Sequence, residues 1–400
     1  MPLTLEAIRA QFPALASGFV YMDNAGGSQV PGVVADAIRD YMLSNYAQIG
    51  GDYPASVYAT ENVARAHCFI ETLMGGEDKD RVILGPSTSA LLRTIADAYA
   101  LAWPAHAEVI VAENGHEANI SPWLYLRDRG FTVHIWECDP ETGSCSVDGL
   151  RGLLNANTKL VCFPQVSNIL GRVEDYSEFI RVAHEAGAKV LVDGVAYAPH
   201  LPMRVAEWGA DWYVFSTYKV FGPHMAALWG THETLAELTG PNHSIIERAN
   251  VPYKFELGGV NHEGCAGLNA LAGYFALLSG RGAFDREAVV EAMTYADRLE
   301  RPLTNRFVEF LGSKSGVTLL GPNSDRLPIV AWHSDRTPAH DLSLAAARAG
   351  LGIKWGNFYS YRLLERMGFD TKCGVARASF AHYNTLDEVD RLISVLDPLL

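Results

Sequence analysis

Between Val82 and Trp229 the chain alternates short apolar runs with stretches of helical spacing. Val82-Ile83-Leu84, Val109-Ile110-Val111, Thr132-Val133-His134-Ile135, Leu160-Val161-Cys162-Phe163, Val190-Leu191-Val192 and Trp212-Tyr213-Val214-Phe215 are each too short for a buried helix and carry the β-branched and aromatic content of buried strands. Helical patterns fall between several of them; one runs from Tyr176 to Glu185 and stops at Ala186-Gly187, where a glycine can take the left-handed conformation that ends a helix. Repeated β-α-β order predicts an α/β fold, with a mainly parallel sheet and helices on both faces. After Gly222-Pro223, Met225 to Trp229 is expected to return as an antiparallel strand.

Beyond this region the spacing becomes helical from Gly267 to Leu278 and, after Gly280-Arg281-Gly282, from Phe284 to Phe310, with a kink or break expected at Pro302. Leu327–Trp332 and Val375–Phe380 read as strands, and Ala339–Ala349 and Leu386–Leu396 as helices, which predicts a small α+β domain at the C-terminus. A chain of 400 residues exceeds one ordinary core, so the expected division is an N-terminal segment 1–18 packing with the small domain, a large domain 19–265, a connecting helix 266–300 and the small domain 301–400.

The formal net charge of −14 argues against nucleic acid or an anionic membrane as partner. Met1 to Ala16 has no long apolar core, so neither a secretory signal nor a membrane span is expected. The six cysteines (68, 138, 145, 162, 265 and 373) show no metal-ligand or CxxC spacing. They read as reduced thiols of a cytoplasmic protein without a metal site, and Cys162, inside an apolar run, as a small buried hydrophobe.

Two strands end on residues with chemical potential. Asp193 closes Val190-Leu191-Val192, and Lys219 follows Trp212–Phe215 in Ser216-Thr217-Tyr218-Lys219. Strand ends are where open α/β sheets bind ligands. A lysine amine can form a Schiff base with an aldehyde cofactor, and an aspartate at that cofactor's ring nitrogen keeps the nitrogen protonated as an electron sink. Together they read as a pyridoxal 5′-phosphate (PLP) site; separately, each could be an ordinary exposed residue.

The remaining candidates fit around that pair. Gly85-Pro86-Ser87-Thr88-Ser89 follows a strand and opens a helix, so hydroxyls and free backbone N–H groups meet there as an anion site for the phosphate, with Ser216 and Tyr218 as further donors. His116, beyond Val109–Val111, can stack on a cofactor ring and handle protons. Asn168, in Ser167-Asn168-Ile169, offers an amide to the cofactor's phenolate oxygen. Arg377 sits within the otherwise apolar Ala376–Phe380, either as a bidentate clamp for a substrate carboxylate or as half of a structural ion pair.

Taken in order, these motifs resemble the class V aminotransferase family of fold type I PLP enzymes, and within it the cysteine desulfurase and selenocysteine lyase branch. The resemblant segments are Tyr21-Met22-Asp23-Asn24-Ala25-Gly26, His116-Glu117-Ala118-Asn119, Val166-Ser167-Asn168, Val192-Asp193-Gly194, Ser216-Thr217-Tyr218-Lys219, and Arg377-Ala378-Ser379 with Tyr383-Asn384-Thr385. The resemblance implies a seven-stranded, mainly parallel sheet and an amino acid substrate. It assigns catalysis to Lys219, His116 and Asp193, the cofactor also to Asn168, Ser87, Thr88, Ser216, Tyr218 and Gly259, and the substrate to Arg377, Asn24 and Tyr359. It further implies a homodimer in which Phe255–Asn261 reaches the neighbour's phosphate.

Departures from the family pattern bear on the reaction. Ala196 stands where the family has glutamine, with Tyr197 as a possible substitute; Tyr218 replaces a histidine and Gly259 a threonine. The loop that carries a nucleophilic cysteine in desulfurases reads Trp355-Gly356-Asn357-Phe358-Tyr359-Ser360-Tyr361-Arg362, without a thiol; Cys373 is the nearest one. Desulfuration through a protein persulfide needs a thiolate. The expectation is therefore a cysteine desulfurase-like enzyme, with C–S or C–Se lysis without a cysteine acceptor, or transamination, as alternatives. A catalytically silent binding protein is the non-enzyme alternative. The aromatic content of Tyr46–Tyr58 and Trp355–Arg362 points to a substrate larger or more aromatic than cysteine.

Overall fold

The computed structural model of the chain describes residues 3–400; Met1 and Pro2, at the start of the 1–18 segment, lie outside the described residues. Seven strands form the central sheet: β1 (Val82–Gly85), β2 (Glu108–Ala112), β3 (Thr132–Trp136), β4 (Thr158–Pro164), β5 (Lys189–Asp193), β6 (Trp212–Ser216) and β7 (Ala226–Gly230). Their order is β1-β7-β6-β5-β4-β2-β3. All neighbours are parallel except β7, which runs antiparallel between β1 and β6.

Apart from the edge strand β3, whose Thr132 is exposed, each apolar run is buried on both faces, because alternate residues feed different cores. Leu84, Ile110, Val161, Val190, Val192, Tyr213 and Phe215 enter one cluster, while Ile83, Val109, Val111, Leu160, Cys162, Leu191 and Val214 enter the other. Register brings the two chemically important strand ends side by side: Asp193 lies opposite Val214, and Ser216 opposite Ala226.

A second, antiparallel sheet orders Lys354–Gly356, Val375–Ser379, Ile329–Ser334 and Val317–Leu320, and packs with Phe307, Leu311, Leu342, Val389 and Leu392 into a separate core. Two of its strands, Val317–Leu320 and Lys354–Gly356, were absent from the sequence pattern; both are short and partly exposed. The two helical stretches read around Gly280-Arg281-Gly282 are the helices His262–Ser279 and Arg286–Gly312. The second continues through Pro302 without the expected break. Pro302 is exposed, so its ring meets solvent and the carbonyl it deprives of an N–H can be hydrated. Near the N-terminus, Arg9 bonds Glu388 at 2.9 Å and the Tyr383 carbonyl at 2.6 Å, and the Tyr295 hydroxyl donates to the Leu3 carbonyl at 2.7 Å.

Candidate active site

A cavity opens at the C-terminal ends of the parallel strands, lined among others by Ser87, Thr88, His116, Asn168, Asp193, Ser216, Tyr218 and Lys219. Residues as far apart in sequence as Ser87 and Lys219 meet there because parallel strands deliver their following loops to one edge of the sheet.

At its floor, Asp193 is buried and accepts one hydrogen bond, from the Val195 N–H at 2.9 Å on Oδ1, leaving Oδ2 without a protein partner. Burial raises its carboxyl to about 6 against the opposing pull of the Val195 N–H and Lys219. Such an oxygen suits a protonated ring nitrogen, which would restore the charge balance that burial removes. The adjacent Gly194 is required sterically, since a Cβ there would lie 1.9 Å from the Tyr213 hydroxyl. That hydroxyl donates to Gln165 Oε1 at 2.6 Å beneath the floor.

Lys219 is buried, and its Nζ has no protein acceptor among the described residues. Burial, reinforced by Arg377, lowers its ammonium to about 8, so a useful fraction is the neutral amine that attacks an aldehyde. His116 is pushed down to about 3, first by burial and then by Lys219 and Arg377. Its Nδ1 accepts from the Ala118 N–H at 3.0 Å, which assigns the ring proton to Nε2 in a neutral imidazole.

The anion end is formed where Ser87 caps the Thr88–Ala102 helix, accepting from the Ala90 N–H at 3.2 Å. Thr88 Oγ1 and Ser216 Oγ lie 2.8 Å apart, so hydroxyls from the ends of β1 and β6 converge on one point. Tyr218 stacks on His224 at 4.3 Å between centroids, with planes 2° apart, and forms the adjoining wall. A dianion bound here would meet a helix N-terminus and the hydroxyls of Ser87, Thr88, Ser216 and Tyr218, and a ring beside it would meet an imidazole, an amide and a carboxylate. This donor set fits PLP.

Arg377 is buried beside these groups. It donates to Asp23 Oδ1 at 2.8 Å and to the Asn168 carbonyl at 3.1 Å, its guanidinium lies 4.0 Å from the Phe358 ring centroid, and its Nε is unpaired. The ion pair weighed against a clamp is thus present, with Asp23 as its partner, while donors remain for a further carboxylate. Phe358 and Asp23 were missed in the sequence; a charge inside an apolar strand demands a counter-ion, and Asp23 in the Tyr21–Gly26 motif was the available one.

Five expected residues, Asn24, Gly259, Tyr197, Tyr359 and Arg377, are not among those lining this cavity. Asn24 spends its amide on Tyr21, Ser379 and Asn384 and accepts from the Tyr383 hydroxyl, pinning the N-terminal segment to the small domain. Gly259 lines a neighbouring cleft with Leu84, Pro86, His224 and Asn261. Tyr197, the suggested stand-in for glutamine, packs edge-on against Trp208 at 5.4 Å, and Ala196 alone reaches the wall. Tyr359 sits at the mouth, 68% exposed, its ring 5.2 Å from His116 and its carbonyl accepting the Glu117 N–H at 2.8 Å.

No cysteine lines the cavity among the described residues. Cys373 is exposed, and Asp370 raises its thiol. Among the described residues no helix is long and apolar enough to cross a membrane.

Comparison with known proteins agrees with this geometry. Residues 20–392 match the family model of class V aminotransferases. The chain is 34% identical to the aminotransferase-like protein FGM3 of Gibberella zeae, over 99% of this chain and 98% of that one. It is 28% identical to a cysteine desulfurase of Serratia proteamaculans, again over 99% and 98%. Its fold superposes with a TM-score of 0.84 on the crystal structure of the Escherichia coli cysteine desulfurase CsdA, at 26% identity over 99% of this chain and 98% of that one. With a fold type I architecture and a cavity whose donors match PLP, this chain belongs to the class V aminotransferase family and is a PLP-dependent enzyme.

Proposed function

We propose that the enzyme acts at the Cα of an amino acid in the manner of the cysteine desulfurases, but completes its reaction without a cysteine of its own as sulphur acceptor. The observation that carries this is Tyr359: it holds the mouth above His116, while the cavity wall has no thiol and Cys373 is exposed with its proton retained by Asp370. Only a thiolate can take sulphur as a persulfide.

Bound PLP supplies an electron-withdrawing ring that acidifies the substrate's Cα–H. Asp193 would hold the ring nitrogen protonated, Asn168 would donate to the ring oxygen, and Thr88, Ser87, Ser216 and Tyr218 would hold the phosphate. Lys219 would hold the cofactor covalently through its amine, and the same amine would carry the substrate's Cα proton. Neutral His116 would stack on the ring without adding charge, and Arg377 would bind the substrate carboxylate through donors left free by Asp23 and Asn168.

The wider organisation belongs to the same reading. The chain divides into a segment 1–18, a large domain 19–265, a connector 266–300 and a small domain 301–400. It works in the cytoplasm as a homodimer, with Gly259 and Asn261 at the cleft beside the phosphate end; exposed Leu257 and Met42 support an apolar contact between copies.

The test is product analysis after incubating PLP-loaded protein with L-cysteine and reductant. Pyruvate with sulfide means β-elimination and upholds the reading. Alanine with sulfide, lost in Cys373→Ser, sinks it. Transamination is a second reading favoured by the 34% identical aminotransferase-like relative; it requires turnover that depends on added keto acid.

A further inference from the structure

Ser360 lies on the loop that departs most from the family pattern, yet it is 1% exposed and touches the cofactor side of the site. Its hydroxyl is 2.8 Å from Asn168 Oδ1, and Asn168 Nδ2 is 3.0 Å from the Phe358 carbonyl. A carbonyl can only accept, so the Phe358 bond assigns the nitrogen of the amide and leaves Oδ1 facing Ser360. The Ser360 hydroxyl must therefore donate. One N–H of Asn168 is consumed by Phe358, and the second is left for an acceptor in the cavity that Asn168 lines.

We propose that Ser360 is a positioning residue: it orients the Asn168 amide so that its free N–H is presented to the cofactor's ring oxygen. The proposal rests on the role given to Asn168 above. Ser360 is itself held, its N–H donating to the Asn357 carbonyl at 2.9 Å and its carbonyl accepting the Leu364 N–H at 3.2 Å. The Asn168 carbonyl accepts from Arg377, and the Arg377 guanidinium covers the Phe358 ring. The small-domain loop thus sets an amide of the large domain through two complementary bonds, and removing the hydroxyl leaves a buried amide oxygen without a donor. The amide is then free to tilt away from the cavity.

A hydrogen bond to the ring oxygen stabilises its ionised form, so its loss raises the pH at which that oxygen is protonated. The experiment uses full-length Ser360→Ala and Ser360→Thr, each stripped of PLP and titrated with PLP while absorbance of the Lys219-linked cofactor is followed from pH 5 to 10. In folded Ser360→Ala the expected result is PLP binding weakened about five- to tenfold and a titration midpoint moved upward, with Ser360→Thr close to wild type. A lowered melting temperature with unchanged affinity and midpoint overturns the proposal, because a merely structural hydroxyl does that. If Ser360→Ala does not fold, Ser360→Thr decides: a wild-type titration upholds the proposal, and a shifted midpoint in folded protein, despite the retained hydroxyl, overturns it. Wild type without any cofactor band would sink the cofactor reading together with this one, whereas a normal band in Asn168→Ala, identical to wild type, would overturn this one alone.

Discussion

The floor of the cavity and the loop that closes it from the small domain hold their polar groups by different means. On the floor, Asp193, Thr88, Ser216 and Lys219 sit at the ends of strands buried on both faces, so their positions follow from the packing of the sheet. On the loop, Phe358, Tyr359 and Ser360 belong to no strand, and Phe358 and Tyr359 have φ of 52° and 56°. Their hydrogen bonds to the large domain are two to Asn168 and one to Glu117. The floor can therefore keep a common cofactor while the loop changes the reaction.

Breaking the floor should have the largest effect. On the proposed function, Lys219→Ala would remove both the covalent anchor and the proton carrier, and activity should fall by about 10³-fold or more, within the range expected for general acid–base groups. The cofactor band should vanish with it. In wild type, PLP capture should quicken about tenfold per pH unit up to pH 8 as the amine loses its proton, and rapid mixing across pH 6–9 measures this. A rate flat across that range would show that Lys219 is not the attacking amine.

Asp193→Asn separates chemistry from folding. Activity should drop by roughly 10²-fold or more as the ring nitrogen loses its counter-charge. Stability of the cofactor-free protein should move the other way. Because the carboxyl is raised from 3.8 to about 6, the folded state binds its proton more tightly than the unfolded one. Wild-type stability therefore falls as pH rises from about 4 to 6, by at most about 3 kcal/mol. Asparagine carries no such charge, so its denaturation midpoint should exceed that of wild type at pH 7 and coincide with it near pH 4.

The contrast also explains what the sequence revealed. Strand runs ending in Asp193 and before Lys219 announced themselves because a buried parallel strand is continuously apolar and its first polar residue marks the sheet edge. The helix starting after Ser87 was visible for a similar reason, its cap being a local signal. Asn24 carried no such signal: an asparagine can serve a ligand or bind the chain to itself, and only tertiary contact with Tyr383 and Asn384 decides. Ser360 was overlooked because its partner is far away in sequence, and Lys354–Gly356 because an edge strand with two exposed residues has no apolar period.

Arg377 joins the two regions and should show an intermediate effect. Arg377→Ala should raise KM for the amino acid about 10- to 100-fold, the range of one or two charge-assisted bonds. Asp23→Asn keeps the guanidinium but loosens it, and should raise KM less, about threefold to tenfold. If Asp23→Asn instead lowers KM, the carboxylate competes with substrate for Arg377 and the pair is a gate rather than a brace. Steady-state kinetics on the substrate found by product analysis distinguishes these outcomes.

The smallest effect belongs to Cys373. Its side chain is exposed, outside the cavity, and its thiol is held protonated by Asp370. A surface substitution with no buried partner changes stability by less than about 0.5 kcal/mol. Cys373→Ser should therefore leave both the melting temperature and the rate within about twofold of wild type. A desulfurase using this thiol would instead lose sulfide release entirely while still loading PLP, since serine cannot form a persulfide. The same substitution separates a loop that has lost its nucleophile from one that has moved it, and the ratio of sulfide rates in Cys373→Ser and wild type reads the answer directly.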